Sequence, residues 1–305
     1  MKFRKHLIIL LKLLRTLIQK KKYHKALNAF IIWRLKNIPD KAFTLFLCLV
    51  VGVLSGVSAA LIKNSVHIVE WLLTADIAKD QDSILFFFLP TIGLLLTVLV
   101  IKFVIKQSVG HGIPTTLYAI SKGKGIIHFK KMFSSIITSA ITVGFGGSTG
   151  LEGPTVSTTA AIGSNLAQFL RVSHKTRKLL IGCAAAGALS AIFKAPIAAI
   201  IFAIEVFSLD LTIASMLPLL LASLSAILTS YFFFGDDILL PFRIEDKFII
   251  SDAPFYMILG VFAAITSIYF TQVYDIVNKF FDKISSPIKR LLIGGLGLGI
   301  LVYFI

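Results

Sequence analysis

Negative charge is scarce in this chain. Fifteen aspartates and glutamates face thirty-one lysines and arginines across 305 residues, and charged residues of both signs make up only 15%. A soluble domain carries about 25%, so the chain lacks the charge to cover a water-facing surface of its size. Cysteine is nearly absent: Cys48 and Cys183 each sit inside an apolar run, with no partner nearby in sequence and no metal-ligand spacing. Neither a disulfide framework nor a thiolate metal centre is expected, and both read as small hydrophobes. No paired metal-ligand motif, nucleotide loop or soluble cofactor fingerprint is found, so no cofactor is expected. No cleavable signal peptide is expected either, because the apolar run from Leu7 to Leu11 is interrupted by Lys12 and Arg15 and lacks a small-residue cleavage site. The first membrane span then has to act as the targeting signal.

What the chain has instead is apolar length. Hydrophobic residues are 56% of the total, and the mean hydropathy is +0.88. Uncharged stretches cover 42–62, 83–101, 132–151, 211–235 and 253–274, each near the roughly 20 residues a helix needs to cross a bilayer. At least five spans are expected, which makes this an all-α polytopic membrane protein.

The formal net charge of +16 is concentrated at one end. Residues 1–41 hold Lys2, Arg4, Lys5, Lys12, Arg15, Lys20, Lys21, Lys22, Lys25, Arg34, Lys36 and Lys41 against one acid, Asp40. The positive-inside rule makes this segment cytoplasmic. Leu7, Leu10, Leu11, Leu14 and Leu17 recur at helical spacing, so 1–41 reads as an amphipathic helix lying on anionic lipid rather than as a nucleic-acid-binding segment. The loop expected at 63–82 carries Glu70, Asp76, Asp80 and Asp82, whereas 102–131 carries six lysines and no acid. The first span therefore runs outward and the second inward. An acid-rich external loop is expected at 236–252, and a return to the cytoplasm at 275–290 with Lys279, Lys283, Lys289 and Arg290. The basic loop 171–178 has no side assigned to it.

The middle of the chain does not reduce to simple crossings. Short apolar pieces at 110–131, 153–172, 179–193 and 195–204 are interrupted by Gly, Pro or charge. In transporters such broken helices bring half-helix N-termini to the membrane midplane, where their positive ends hold an anion. Residues 291–305 offer fifteen uncharged positions where about twenty are wanted, so a truncated chain is expected over a short terminal helix.

One carboxylate stands at membrane depth. Glu152 lies among small residues in Gly147-Ser148-Thr149-Gly150-Leu151-Glu152-Gly153-Pro154. A charge there costs about 2.5–3.5 kcal/mol on insertion scales and marks an ion pathway by default. Proline fits the first turn of a helix, and small residues let a ligand approach the backbone, so this motif is a helix start aimed at an anion.

Three motifs follow in order: Gly110-His111-Gly112-Ile113-Pro114, then Gly150-Leu151-Glu152-Gly153-Pro154, then Gly182-Cys183-Ala184-Ala185-Ala186-Gly187 leading to Phe193-Lys194-Ala195-Pro196 and Phe202-Ala203-Ile204-Glu205-Val206. Together they resemble the CLC chloride channel and transporter family over about 42–305. The resemblance implies a homodimer in which each subunit has its own chloride pathway, built from two inverted repeats of broken helices. The first repeat is expected at 42–235 and the truncated start of the second at 253–305. The second repeat's anion-contacting Gly-x-Phe-x-Pro segment and the family's late tyrosine have no counterpart here. The dimer contacts are expected at 195–207 and 211–235.

By the same resemblance, Glu152 matches the gating glutamate, whose carboxylate competes with the transported anion. Leu151 stands where many relatives have arginine. His111 matches a position often held by an anion-contacting serine; it either donates to the anion, with an imidazole that could make conduction pH-sensitive, or bonds a loop carbonyl. The backbone N–H groups of Gly112, Ile113 and Gly153 are anion-binding candidates. Val206 replaces the second acid of many proton-exchanging members, which leans toward passive conduction, with chloride/proton antiport as the alternative. Glu205 is either a packed, hydrogen-bonded acid or part of a proton pathway. Lys194 either lends positive potential to an anion vestibule or snorkels to an interface.

Two other classes stand beside this one. An inactive or partner-dependent fragment would have Glu152 and no complete pathway. Gly146-Gly147-Ser148-Thr149-Gly150 fits the loose serine-hydrolase pattern, but a nucleophile elbow wants a strand before it and a base within reach, so no enzyme is expected.

Overall fold

The computed structural model describes residues 25–77, 85–107, 109–110, 112–210, 212–235 and 249–304. Residues 1–24 of the basic segment, His111 and residues 236–248 of the expected outer loop lie outside the described residues. The described chain is all-α. Helix α1 (25–37) leads into α2 (Asp40–Ile77), α3 (Leu85–Val100) with a π turn (Ile101–Ile105), α4 (Ile113–Ser121), α5 (Lys131–Gly144), α6 (Glu152–Phe169), α7 (His174–Phe193), α8 (Pro196–Phe207), α9 (Ile213–Phe234), α10 (Ala253–Asp282) and α11 (Pro287–Phe304). Among the described residues six helices are long and apolar enough to cross a membrane. This is a polytopic all-α membrane fold.

The core is a bundle of three parallel helices, α2, α7 and α9. Gly52 and Gly56 of α2 face Ala222 and Ala226 of α9, so close that a Cβ on Gly52 would stand 2.8 Å from the Ala222 Cα. Small residues four apart allow this approach of backbones, and in lipid such packing is what drives helix association. Ser55 donates to the Ala184 carbonyl at 3.1 Å, and Ser230 donates to Ala191 at 2.8 Å. Residue numbers rise together along each pair, so all three helices begin at one end of the bundle. Cys48 and Cys183, far apart in sequence and read as small hydrophobes, meet in this core as free, buried thiols with their Sγ atoms 3.5 Å apart.

Several boundaries differ from the sequence expectation. Helix α2 does not end at Ile62 but continues to Ile77, 38 residues in all. That is about 57 Å at 1.5 Å per residue, against about 30 Å of hydrocarbon. The acids expected in a loop therefore begin on helix, where Glu70 pairs with His67 at 3.3 Å. Of the segment 171–178 only 171–173 is a connection, since α7 begins at His174: Ser173 caps it by accepting from the Thr176 N–H, and Lys178 donates to the Ser208 carbonyl at 2.7 Å. Likewise α10 carries on through Asp275 to Asp282. Helix α11 starts at Pro287 and reaches 18 residues, more than the fifteen uncharged positions implied. It packs on α3 through Gly295 against Thr91 and Gly299 against Phe87.

The expected span 132–151 is the largest correction. It is a 14-residue helix, α5, followed by a break. The Gly147 N–H donates to Thr142 O at 2.9 Å and the Gly146 N–H to Val143 O at 2.8 Å, with Gly146 at φ 86°. This is a Schellman ending, which needs a left-handed residue and so a glycine. Three glycines in Gly144-Phe145-Gly146-Gly147 thus stop the helix halfway and leave Ser148 to Leu151 as the approach to α6.

Candidate anion site at two helix starts

Helices α4 and α6 begin in the same way. Gly112 precedes α4 at φ 62° and ψ −117°, a conformation open to glycine and strained for other residues. The first intrahelical bond of α4 is Thr116 N–H to Gly112 O at 3.3 Å, and that of α6 is Thr155 N–H to Leu151 O at 3.0 Å. Each threonine also turns its hydroxyl onto the same carbonyl, at 3.4 Å for Thr116 and 2.6 Å for Thr155. Pro114 and Pro154 sit in the first turns, where a missing N–H costs nothing. The N–H groups of Ile113, Glu152 and Gly153 precede these first bonds and have no intrahelical acceptor.

The two starts abut. A Cβ on Gly112 would lie 3.4 Å from the Gly153 oxygen and 3.6 Å from its Cα, so the backbones of the two motifs touch through glycine. Unbonded N–H groups and the positive ends of two helices converge there, an arrangement that favours a negative charge. The half-buried Glu152 supplies one from the protein: its carboxylate folds back over the Cα of Gly150. Among the described residues no salt bridge reaches it.

The connection from α4 to α5 is stitched to the polar face of α6. Ser164 donates to Gly125 O at 2.6 Å and accepts from the Ile127 N–H at 3.0 Å. Asn165 donates to Ile127 O at 3.1 Å. Beside this seam lies a cavity of about 80 Å³ lined by Thr115, Thr116, His128, Lys131 and Ser157. The sequence reading does not pick out these residues, although Thr116 and Thr155 each stand four residues after the residue that precedes their helix, Gly112 and Leu151.

Glu205 and Lys194 fall elsewhere. Glu205 is exposed on α8. Lys194 ends α7 in the left-handed region at φ 55°. Its ammonium donates to Ser230 Oγ at 2.9 Å and to Gly235 O at 3.5 Å, 3.9 Å from the Tyr231 ring centroid. It caps the C-terminal end of α9, where a cation is favoured. Ser148 follows a helix ending and not a strand, unlike the nucleophile of a hydrolase elbow.

A family model described as voltage gated chloride channel matches residues 92–305. The H(+)/Cl(−) exchange transporter ClcA of Vibrio cholerae is 26% identical over 265 residues, covering 84% of this chain and 56% of the relative. A protein of Ralstonia nicotianae described as ClcB-like is 30% identical over 217 residues, covering 70% of this chain and 51% of its own length. The fold is similar to that of a slow cyanobacterial Cl−/H+ antiporter, with a TM-score of 0.69 at 22% identity, over 88% of this chain and 65% of that structure. A CLC-type fluoride/proton antiporter gives the same TM-score at 24% identity, over 87% and 65%. The chain spans about half the length of the curated relatives it matches. With the family model matched over more than half its residues, and the glycine motifs joined at two abutting helix starts, the chain belongs to the voltage-gated chloride channel (CLC) family.

Proposed function

We propose that this chain carries chloride across a membrane, with the Glu152 carboxylate as gate and the helix starts at Gly112–Ile113 and Glu152–Gly153 as the anion cradle. The observation that carries this reading is the abutment of Gly112 on Gly153 beside an intramembrane carboxylate. Two anions then compete for one set of donors. While the carboxylate occupies the positive end it excludes chloride; when it is displaced or protonated, the N–H groups are left to the ion. His111, in the same motif as Gly112, is proposed as a further donor to the anion on the family resemblance alone. The cavity with His128 and Lys131 supports the reading, because cationic and hydroxyl groups line a space large enough for a small anion.

Val206 cannot carry a proton, which favours passive conduction over chloride/proton exchange, the activity named for the Vibrio relative. If exchange does occur, the exposed Glu205 is the acid next to that position. The proposed organisation is a first repeat at 42–235, the opening of a second at 253–305, a cytoplasmic N-terminus in the cell membrane, and a homodimer joined through α8 and α9. A second reading is favoured by α10, none of whose residues is buried: a chain that needs further protein to complete its pathway.

The test is chloride efflux from liposomes holding the purified chain, at two pH values, beside Glu152→Ala and Ser148→Ala. Glu152→Ala is expected to raise efflux or flatten its pH dependence, and Ser148→Ala to leave it nearly intact. The reverse pattern would overturn the gate. Absence of flux from folded protein would favour the partner-dependent reading.

A further inference from the structure

We propose that the end of the bundle where α2, α7 and α9 begin holds one anionic phospholipid. A cavity of about 540 Å³ opens there between the first turns of the three helices. Its lining is divided by depth. Lys41 and Lys175 stand at the rim, at the second residue of α2 and of α7. Neither ammonium has a hydrogen-bond or ion-pair partner among the described residues. One turn further in, Leu45, Leu179 and Leu217 form the wall, about 6 Å deeper along the helix axes.

That division matches the chemistry of a lipid. Both lysines lie at the ends of helices long enough to cross a membrane, which is the level of the headgroups, and the leucines lie at the level of the acyl chains. A free phosphate would satisfy the lysines and leave the leucine wall in water. A zwitterionic lipid would cover the wall and offer a phosphate, but its own quaternary ammonium would offset that charge beside two lysines. A phospholipid with a net negative headgroup answers both, in the way that basic pockets between transmembrane helices hold anionic lipids.

Asp40, the one acid among the described lining residues, does not oppose it. Asp40 lies 2.6 Å from the Arg34 guanidinium, and Arg34 is itself buried over the Phe43 ring at 4.0 Å. Lys178, one turn further along α7, is drawn off to Ser208. The lysines at the mouth therefore act as a pair. Because the three helices are parallel, their N-terminal ends add potential of the same sign.

Native mass spectrometry of the full chain in detergent tests this, with phosphatidylglycerol, phosphatidylcholine and inorganic phosphate as probes. One phosphatidylglycerol is expected to bind at least about tenfold more tightly than phosphatidylcholine and to resist displacement by phosphate. Lys41→Gln with Lys175→Gln should weaken it by about tenfold or more, as two interfacial lysines imply. Lys122→Gln with Lys124→Gln, which removes equal charge from the α4–α5 connection, should not. Ala214→Phe, placed to fill the cavity, should lower occupancy by both lipids, and decides the matter if the double lysine variant fails to fold. Equal affinity for the two lipids, equal effects of the two lysine pairs, or displacement by inorganic phosphate would each overturn the proposal.

Discussion

The Glu152 carboxylate rests over Gly150, in space that only a glycine leaves open. A Cβ on Gly150 would stand 2.9 Å from the Glu152 Cδ and overlap Oε2. The position of the proposed gate is thus set by the residue two before it, through the absence of a side chain rather than through a bond. Gly150→Ala has to displace the carboxylate, which as the far end of a flexible, half-buried side chain can swing away at little cost to the fold. The expected outcome in the liposome assay is raised efflux with the melting temperature nearly unchanged. In the double variant with Glu152→Ala, Gly150→Ala should add nothing, because the group it displaces is gone. Additive effects would mean that Gly150 acts on the pathway by another route.

The α2–α9 seam makes a separate prediction about stability. Gly56 faces the Ala226 carbonyl, 2.6 Å from a Cβ placed there, and the Thr229 Cβ at 2.7 Å. Gly56→Ala should cost about 1–3 kcal/mol, since backbone on the opposite helix cannot give way. Gly260 on α10 is the control, because a Cβ there meets nothing within 4 Å. Gly260→Ala should be neutral or stabilise by about 0.5–1 kcal/mol through helix propensity. Thermal unfolding in detergent separates the two, and equal melting temperatures would remove the close seam from the argument.

Lys194 combines a strained backbone with a useful side chain. Its φ of 55° disfavours any residue but glycine or asparagine, while its ammonium holds Ser230 and the Tyr231 ring. Lys194→Ala loses the contacts and keeps the strain, so about 1–2 kcal/mol should be lost. Lys194→Gly loses the same contacts and relieves the strain, and should melt measurably higher than the alanine variant. The order of the two melting temperatures is the check.

How much of this was legible depended on whether a signal was local. The apolar runs announced a membrane fold, and Gly-Pro spacing announced helix starts at Gly112 and Glu152, because proline and glycine act on their own backbone. The stop after Gly144 was also written locally, in Gly146 and Gly147, but the uncharged run 132–151 masked it: hydropathy reports the solvent, not the path of the chain. Helix α2 ran past Lys63 and Glu70 for the complementary reason, since charges at the end of a long helix can reach water without ending it. That Gly112 meets Gly153 was legible only through the family resemblance, which assigns both to one anion site, and not from the residues themselves. The two glycines are apart in sequence, and their helices are held together by the stitching of Ser164, Asn165 and Gln168 to the α4–α5 connection and by shared core packing.

Cys48 and Cys183 show the same limit in the core. They are 135 residues apart, yet the thiols touch where α2 crosses α7, and both side chains are fully buried. Their neighbours on α7 are Ala184, Ala185 and Ala186, also at zero exposure, so the seam accepts small side chains and has no room for larger ones. Buried thiols in apolar surroundings are inert because the reacting thiolate is not formed or reached. A maleimide should label neither cysteine in the folded protein and both after denaturation in SDS. Size makes the second half of the prediction. Cys183→Ala removes one sulfur and should cost about 1 kcal/mol, whereas Cys183→Leu must push α2 from α7 and should cost about 1–3 kcal/mol or prevent folding. Labelling without denaturation, or a leucine variant as stable as the alanine one, would mean that the two helices do not close on each other at this point.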